Sequence, residues 1–191
     1  MLKLIKYYIF IIIIPLSLYS EENLETWFIN MSNDFLQIVE NDDKNNLNHD
    51  LSEFIDSKFA INSISLSIIG TLANKNKKED LIKYKEAFLH HLTKTLYNLV
   101  EHYDGQKIRL EKIEEDSNGF LVHSNIEYKE KAYSIVWRIV YFDNEPKILD
   151  IIIENTSYYV TKKSEFLKIL RENQGSLSSL TKILEKVNFN Y

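Results

Sequence analysis

Residues Tyr133–Lys163 read YSIVWRIVYF, DNEP, KILDIIIE and NTSYYVTKK in succession, and this stretch decides the fold. It predicts a strand at 133–142, a turn at 143–146, a second strand at 148–153 and then a helix. A strand with one face in water alternates apolar and polar residues. Both strands are apolar on both faces, so we expect apolar material on each side. One side is protein core, and the other is either more protein or a cavity that holds an apolar guest.

Two further strands precede this stretch, at residues 107–114 and 120–128, and the pair Asn118–Gly119 between them is a hairpin signal. Connections this short allow only antiparallel neighbours. We therefore predict a meander of about four strands.

Apolar residues at spacings of three and four predict helices before and after the sheet. Before the sheet we expect four helices: one from about Glu22 to Val39, one capped by Asp50, one ending near Gly70 and one from Lys78 to Tyr103. After the sheet we expect a fifth helix from Thr161 to Glu172 and a last one capped by Ser176. Helices, then strands, then helices, without alternation, predict the α+β class.

Length and composition restrict the class of protein. The chain has 191 residues, of which 45% are hydrophobic and 27% charged, and these values are typical of one globular domain. It contains no cysteine, which excludes disulfides and thiolate metal sites. The formal net charge is −5 and no basic cluster is visible, so we predict no nucleic-acid partner.

The N-terminus has the pattern of a secretory signal peptide. Lys3 and Lys6 precede the apolar run Tyr7–Leu18, and Ser20 supplies a small residue at the polar exit. The run is shorter than the ~20 residues of a membrane helix. We therefore expect residues 1–20 to be cleaved and residues 21–191 to form a single exported domain.

Signals for catalysis are few. Only four glycines are present, and neither a phosphate-binding loop nor a dinucleotide fingerprint can be assembled. The nucleophile elbow and the HExxH motif are also absent. His90 and His91 are adjacent, so they point in different directions on a helix. We predict no catalytic residue, no metal site and no cofactor.

Asp150 is the exception, because it lies inside an apolar strand. It is either a buried acid with a perturbed pKa in the cavity of an isomerase-like enzyme, or a hydrogen-bonding or ion-pairing group that orders the strand end, for instance with Arg138. We favour the second interpretation.

From Asp150 onward the sequence resembles the MlaC family, also called the toluene-tolerance family. In that family an aspartate in the last strand is followed by a basic helix start that leads to Phe or Trp, which corresponds here to Lys162, Lys163 and Phe166. Upstream, FIDSKFAINSISLSIIG and EAFLHHLTKTLYNLVEHYDGQKI resemble its helix ending in Leu-Gly and its long helix. The similarity spans about Leu51 to Val187. Asn155 departs from the pattern, since the family usually has glycine there.

The resemblance implies helices wrapped around a curved, mainly antiparallel sheet that encloses an apolar cavity for acyl tails. It implies a soluble periplasmic phospholipid carrier, the substrate-binding component of an ABC transport system and not an enzyme. The implied partners are phospholipid, an inner-membrane ABC transporter complex and an outer-membrane lipoprotein–porin complex.

Inward-facing residues of the sheet and helices are the candidate lipid contacts, and ordinary core is the alternative for each. They are Ile64, Ile68, Leu92, Leu96, Val122, Ile126, Ile135, Trp137, Ile139, Phe166 and Leu170. Arg138, Lys162 and Lys163 are candidates for a headgroup rim. Two other functions stay open: a small cavity enzyme of the isomerase type with Asp150 as base, and an exported adapter domain with a solid core and no ligand.

Overall fold

A computed structural model describes residues 21–41, 45–101 and 103–186 of the chain. The predicted signal peptide, His102 and Val187 lie outside these residues. Within them the helices are α1 Glu21–Glu40, α2 Leu47–Lys58, α3 Ile61–Ile69, α4 Lys78–Val100, α5 Tyr158–Glu172 and α6 Leu177–Glu185, with a 3₁₀ helix at Gly70–Lys75. The strands are β1 Lys107–Asp116, β2 Gly119–Tyr128, β3 Lys131–Phe142, β4 Glu145–Ile153 and β5 Thr156–Ser157. No helix in this part of the chain is both long and apolar enough to cross a membrane.

The strands form one antiparallel meander in the order β1-β2-β3-β4-β5. The α+β class is confirmed, but the sheet has five strands and not four. The additional strand has only two residues, which pair with Ile152 and Ile153. The turn before it needs two residues with positive φ, Glu154 at 47° and Asn155 at 64°. Asparagine tolerates this conformation better than most residues, so it can replace the glycine that the family uses.

Local hydrogen bonds shift several predicted helix ends. Helix α5 begins at Tyr158 rather than Thr161, because the Ser157 hydroxyl oxygen accepts a hydrogen bond from the Val160 N–H at 3.0 Å. Helix α2 begins at Leu47, so Asp50 lies in its first turn and is not its cap. Helix α4 ends at Val100, three residues before the predicted end.

The helices pack on one face of the sheet. Ile135, Trp137 and Ile139 alternate along this face of β3 and are buried. Phe28 of α1 meets the Trp137 ring edge-to-face, with 5.6 Å between ring centroids. Together with α3, α4 and β4 these residues form the main core.

The opposite face of β3 is less covered than expected. Ser134 and Phe142 are exposed, and Val136 and Arg138 are only half-buried. The expectation of apolar cover on both sides is therefore wrong for this face. A charged group occupies this face, because Arg138 forms an ion pair with Asp116 of β1, two strands away, and remains partly in solvent.

Candidate functional site

A cavity of about 380 Å³ lies between α1, α4 and the inner face of the sheet, and we call it the large cavity. Its volume falls within the roughly 300–1,000 Å³ of small-molecule sites. Aliphatic and aromatic side chains form nearly all of its wall. They are Phe35, Leu36, Leu96, Leu99, Val100, Tyr103, Ile108, Ile126, Tyr128, Tyr133, Ile135, Trp137, Ile151 and Ile153, with Gln106 as the one amide.

The large cavity opens to solvent at one end. Leu99, Tyr133 and Ile153 lie there and are 65%, 41% and 43% exposed. Single exposed apolar residues are common on protein surfaces, whereas a contiguous apolar patch marks a binding surface, and these three residues line one cavity. The apolar wall of the cavity therefore continues to the solvent-exposed mouth.

Two tyrosines at the same end turn their hydroxyl groups to polar partners. Tyr128 donates to the Asp104 carboxylate at 3.0 Å, and Tyr103 donates to the Glu40 carboxylate at 2.9 Å. Burial, together with the nearby Glu40 carboxylate, raises the pKa of Tyr103 to about 12. Both rings thus contribute apolar surface to the wall while their hydroxyls remain satisfied outside it.

The floor of the large cavity is fixed by a buried polar contact. The Trp137 Nε1–H donates a hydrogen bond to the Ser124 hydroxyl oxygen at 2.8 Å, and both residues are buried. An indole N–H that is buried needs such a partner. The bond therefore sets the orientation of the largest side chain in the wall.

A second, small cavity of about 30 Å³ lies between α3, α4, α5 and β4. Phe59, Ile64, Ile68, Phe88, Leu92, Leu149, Asp150, Ile151, Tyr158, Tyr159 and Lys162 line it. Its volume is about that of one water molecule in the liquid. Ile151 lines both cavities.

The predicted lipid contacts divide into three groups. Leu96, Ile126, Ile135 and Trp137 line the large cavity. Ile64, Ile68 and Leu92 line the small cavity. Val122, Ile139, Phe166 and Leu170 line neither and are at most 3% exposed, in the solid core.

Sequence reasoning missed most of the large-cavity wall, since only four of its 15 lining residues were among the predicted contacts. Tyr133 is on the same strand face as Ile135 and Trp137, so the alternation pattern was available to find it. Leu99 follows Leu96 by three residues, so helical spacing was available to find it too. Ile153 carries no comparable signal, because a residue at the end of a strand is apolar for many reasons. Lipid contact by any of these residues stays a prediction.

The three predicted rim cations lie away from the large cavity. Arg138 is on the outer face of β3, with its Nε 3.6 Å from an oxygen of Asp116. Lys162 forms an ion pair with Glu165 at 2.8 Å and borders the small cavity. Lys163 donates to the Tyr159 hydroxyl oxygen at 3.1 Å. A headgroup role for these cations stays a prediction.

Asp150 orders the start of α5, as the favoured interpretation predicts. Its two oxygens accept hydrogen bonds from the Ser157 hydroxyl at 2.6 Å and from the Tyr159 N–H at 2.9 Å. The suggested partner Arg138 is wrong, because that side chain pairs with Asp116 instead. A carboxylate at a helix N-terminus is also favoured by the helix dipole.

His91 on α4 lies against the first turns of α5. Both of its ring nitrogens are buried without a hydrogen-bond partner among the described residues, and its ring meets Phe166 edge-to-face at 5.6 Å. Burial, then the Lys162 charge, lowers the pKa of His91 to about 4, against a smaller opposite effect of Glu165. The imidazole is therefore neutral at neutral pH.

An open groove of about 640 Å³ lies between α1 and α2. Asp34, Asp50, Glu53 and Asp56 contribute carboxylates to it, and Lys58 pairs with Asp34 at 3.1 Å. This groove is a solvated charged surface, so it does not suit an apolar guest.

Comparison with known proteins gives a family and a structural neighbour. The family model described as MlaC protein matches residues 30–186. The phospholipid-binding protein from Ralstonia solanacearum, solved in complex with a phospholipid, has a similar fold with a TM-score of 0.65 and 14% identity. The match covers 86% of this chain and 92% of that one. A search of curated proteins gives no match. The family resemblance in the sequence is thus confirmed, and the chain belongs to the MlaC protein family.

Proposed function

We propose that the protein is a soluble periplasmic carrier that binds the acyl part of a phospholipid in the large cavity. The observation that carries the proposal is an apolar cavity of about 380 Å³ whose open end is edged by exposed Leu99, Tyr133 and Ile153. The bound phospholipid of the Ralstonia structure supports it, because that protein shares the fold over most of both chains.

The volume of the cavity limits what it can hold. A water molecule occupies about 30 Å³ in the liquid, and a methylene group is of similar size, so the cavity accommodates about a dozen methylenes. At ~0.8 kcal/mol for each buried methylene, one acyl chain gains about 10 kcal/mol relative to water. This gain is enough to hold a lipid in solution without specific headgroup contacts.

The same physics allows release. A bilayer offers an acyl chain an apolar environment much like the cavity, so transfer between the two is close to balanced while escape into water is strongly unfavourable. The second chain of a diacyl lipid needs further space, and the exposed apolar mouth supplies a surface along which it can lie. The carrier thus exchanges lipid with membranes rather than releasing it to solvent.

The place of this carrier in the cell is also part of the proposal. Cleavage after Ser20 delivers residues 21–191 to the periplasm. There the carrier shuttles phospholipid between an outer-membrane lipoprotein–porin complex and an inner-membrane ABC transporter complex, as the substrate-binding component of that system. Family membership supports this role.

The position of Asp150 favours a carrier over an isomerase. Both of its oxygens are engaged by Ser157 and the Tyr159 N–H at the start of α5, and the small cavity beside it holds about one water-sized group. A substrate has no room to approach it. The volume of the large cavity likewise favours a carrier over an adapter with a solid core.

Blocking the large cavity tests the proposal. Leu96→Trp on α4 fills the cavity, and Ile82→Trp on the exposed part of the same helix is the matched control. The readout is transfer of a pyrene-labelled phosphatidylethanolamine from donor vesicles to unlabelled acceptor vesicles. We expect wild type and Ile82→Trp to accelerate transfer and Leu96→Trp to lose at least 90% of that effect. Equal transfer by all three, or none by wild type, contradicts the proposal.

A further inference from the structure

We infer that Ile151 limits the length of the acyl chain that the carrier accepts, with the small cavity behind it as a subsite for the chain's methyl end. The inference rests on the proposed lipid-binding function. It assigns a specificity role to one side chain and a binding role to a cavity that shares only Ile151 with the large one.

Ile151 is placed between the two cavities. It lines both of them, and across the sheet it pairs with Trp137, whose buried ring forms the floor of the large cavity. On the facing helix α4, Leu96 lines the large cavity and Leu92, one turn earlier, lines the small one. The two cavities therefore follow each other along β4 and α4 and are separated at Ile151.

The solvent exposure of the residues along β4 indicates the end at which an acyl chain enters the large cavity. Ile153 lies at the open mouth and is 43% exposed, Ile151 is half-buried, and Ile148 beyond it is fully buried. An acyl chain that enters beside Ile153 and follows the strand inward thus meets Ile151 at the inner end of the large cavity. The next free space is the small cavity.

The side chain of Ile151 is suited to be a fixed barrier. A β-branched residue in a strand has restricted χ1 rotation, so it does not swing aside as a leucine or methionine does. Truncation of Ile151 to alanine removes three carbons and connects the large cavity to the small one. The small cavity itself holds about one methylene-sized group. We therefore expect a lengthening of about four carbons.

The neighbouring Ile152 offers a matched control. It has the same side chain, lies on the same strand and is also half-buried, but it pairs with Val136 on the outer face of the sheet. It lines neither cavity. Substitutions there perturb β4 to a similar degree without changing the space available to a ligand.

The test is a competition for acyl chains of different length. The full-length chain is expressed, and the exported protein is purified and incubated with vesicles that contain equal amounts of phosphatidylcholines with chains of 12, 14, 16, 18 and 20 carbons. Bound lipids are then extracted and quantified by mass spectrometry. The variants are Ile151→Ala, Ile151→Val and Ile151→Phe, with Ile152→Ala and Ile152→Phe as controls.

We expect the mean bound chain length to rise by about four carbons in Ile151→Ala, to rise less in Ile151→Val, and to fall in Ile151→Phe. The alanine and phenylalanine variants should shift the bound chain length in opposite directions, and valine is a mild change. The remaining variants therefore still test the inference if one of them does not fold. An unchanged length distribution in Ile151 variants that bind lipid as wild type does, or equal shifts in the Ile152 controls, overturns the inference. If wild type binds no phospholipid, both the inference and the proposed function fail.

Discussion

The Nε1 of Trp137 lies 2.8 Å from the Oγ of Ser124, in a part of the sheet where both residues are buried. Trp137 is also in edge-to-face contact with Phe28 of α1. One polar contact and one aromatic contact therefore connect two strands and a helix beneath the large cavity. The stability of the fold and the shape of the cavity depend on the same side chain.

Removing the hydroxyl of Ser124 should destabilise the fold. Ser124→Ala leaves the buried Trp137 N–H without a partner, so we expect a loss of about 1–3 kcal/mol in the free energy of unfolding. Urea denaturation followed by circular dichroism measures this loss. Ser134→Ala, at an exposed serine on the neighbouring strand, should change stability by less than about 0.5 kcal/mol. Equal stability of the two variants would show that the hydrogen bond contributes nothing.

The contact between Asp150 and Ser157 should be energetically coupled. Asp150→Asn places an amide where two donors point, and Ser157→Ala removes both one of those donors and the cap of α5. Each change should cost about 1–3 kcal/mol. Because both disrupt one network, the double variant should cost at least about 0.5 kcal/mol less than the two single losses combined. Additive losses in a double-mutant cycle would mean that the two groups act independently.

Stability should fall on acidification because of His91. Its pKa is about 4 in the folded protein and about 6.5 in an unfolded chain, so between these values the unfolded state binds more protons. The contribution of neutral His91 is complete above pH 6.5 and is lost as the pH falls toward 4. Lys162 and His90 disfavour its protonation, whereas Glu165 favours it.

His91→Phe keeps the aromatic contact with Phe166 and removes the titration. We expect the decrease in unfolding free energy from pH 7 to pH 4.5 to be smaller in this variant, by about 2 kcal/mol after allowance for partial exposure. His49→Gln, at an exposed histidine on α2, serves as the control and should retain the wild-type decrease. An identical pH dependence in wild type and His91→Phe would contradict the burial of His91.

The same substitution should have different costs in core and cavity wall. Ile139 is fully buried and lines no described cavity, so Ile139→Ala should cost about 2–5 kcal/mol. Ile126 is half-buried and lines the large cavity, so Ile126→Ala loses contacts on one side only and should cost about 1 kcal/mol. Thermal and urea unfolding of lipid-free protein compare the two. Similar losses would mean that helices close onto the sheet at Ile126.

Much of the fold could be predicted from the sequence because alternation in strands and spacing in helices are local patterns. The turn at Asn118–Gly119 and the apolar face of β3 indicated the meander. The two-residue strand β5 is too short to produce a pattern. The start of α5 was missed because Tyr158 and Tyr159 favour strands, and only the contacts of Ser157 and Asp150 make them helical.

The site was less predictable, since a residue that faces a cavity and one that faces the core have the same periodicity. Ile126 and Ile139 show this, because both are inward-facing strand residues. Ile126 lines the large cavity, whereas Ile139 is fully buried in the core. Ile151 was missed although it follows Asp150 directly, because the run 148–153 is apolar on both faces and alternation does not choose between them. The rim cations Arg138, Lys162 and Lys163 do not line the large cavity, and a headgroup role for them stays a prediction.

The most direct test of the central claim is the mass of the protein as it leaves the cell. Full-length chain is expressed with its own N-terminus in a Gram-negative host, purified from the periplasm without detergent and measured by native mass spectrometry. The account predicts a mature chain beginning at Glu21 that carries about one phospholipid, which denaturing conditions release, and predicts that Leu96→Trp carries none. Wild-type protein that contains no phospholipid and takes up none from vesicles would contradict it.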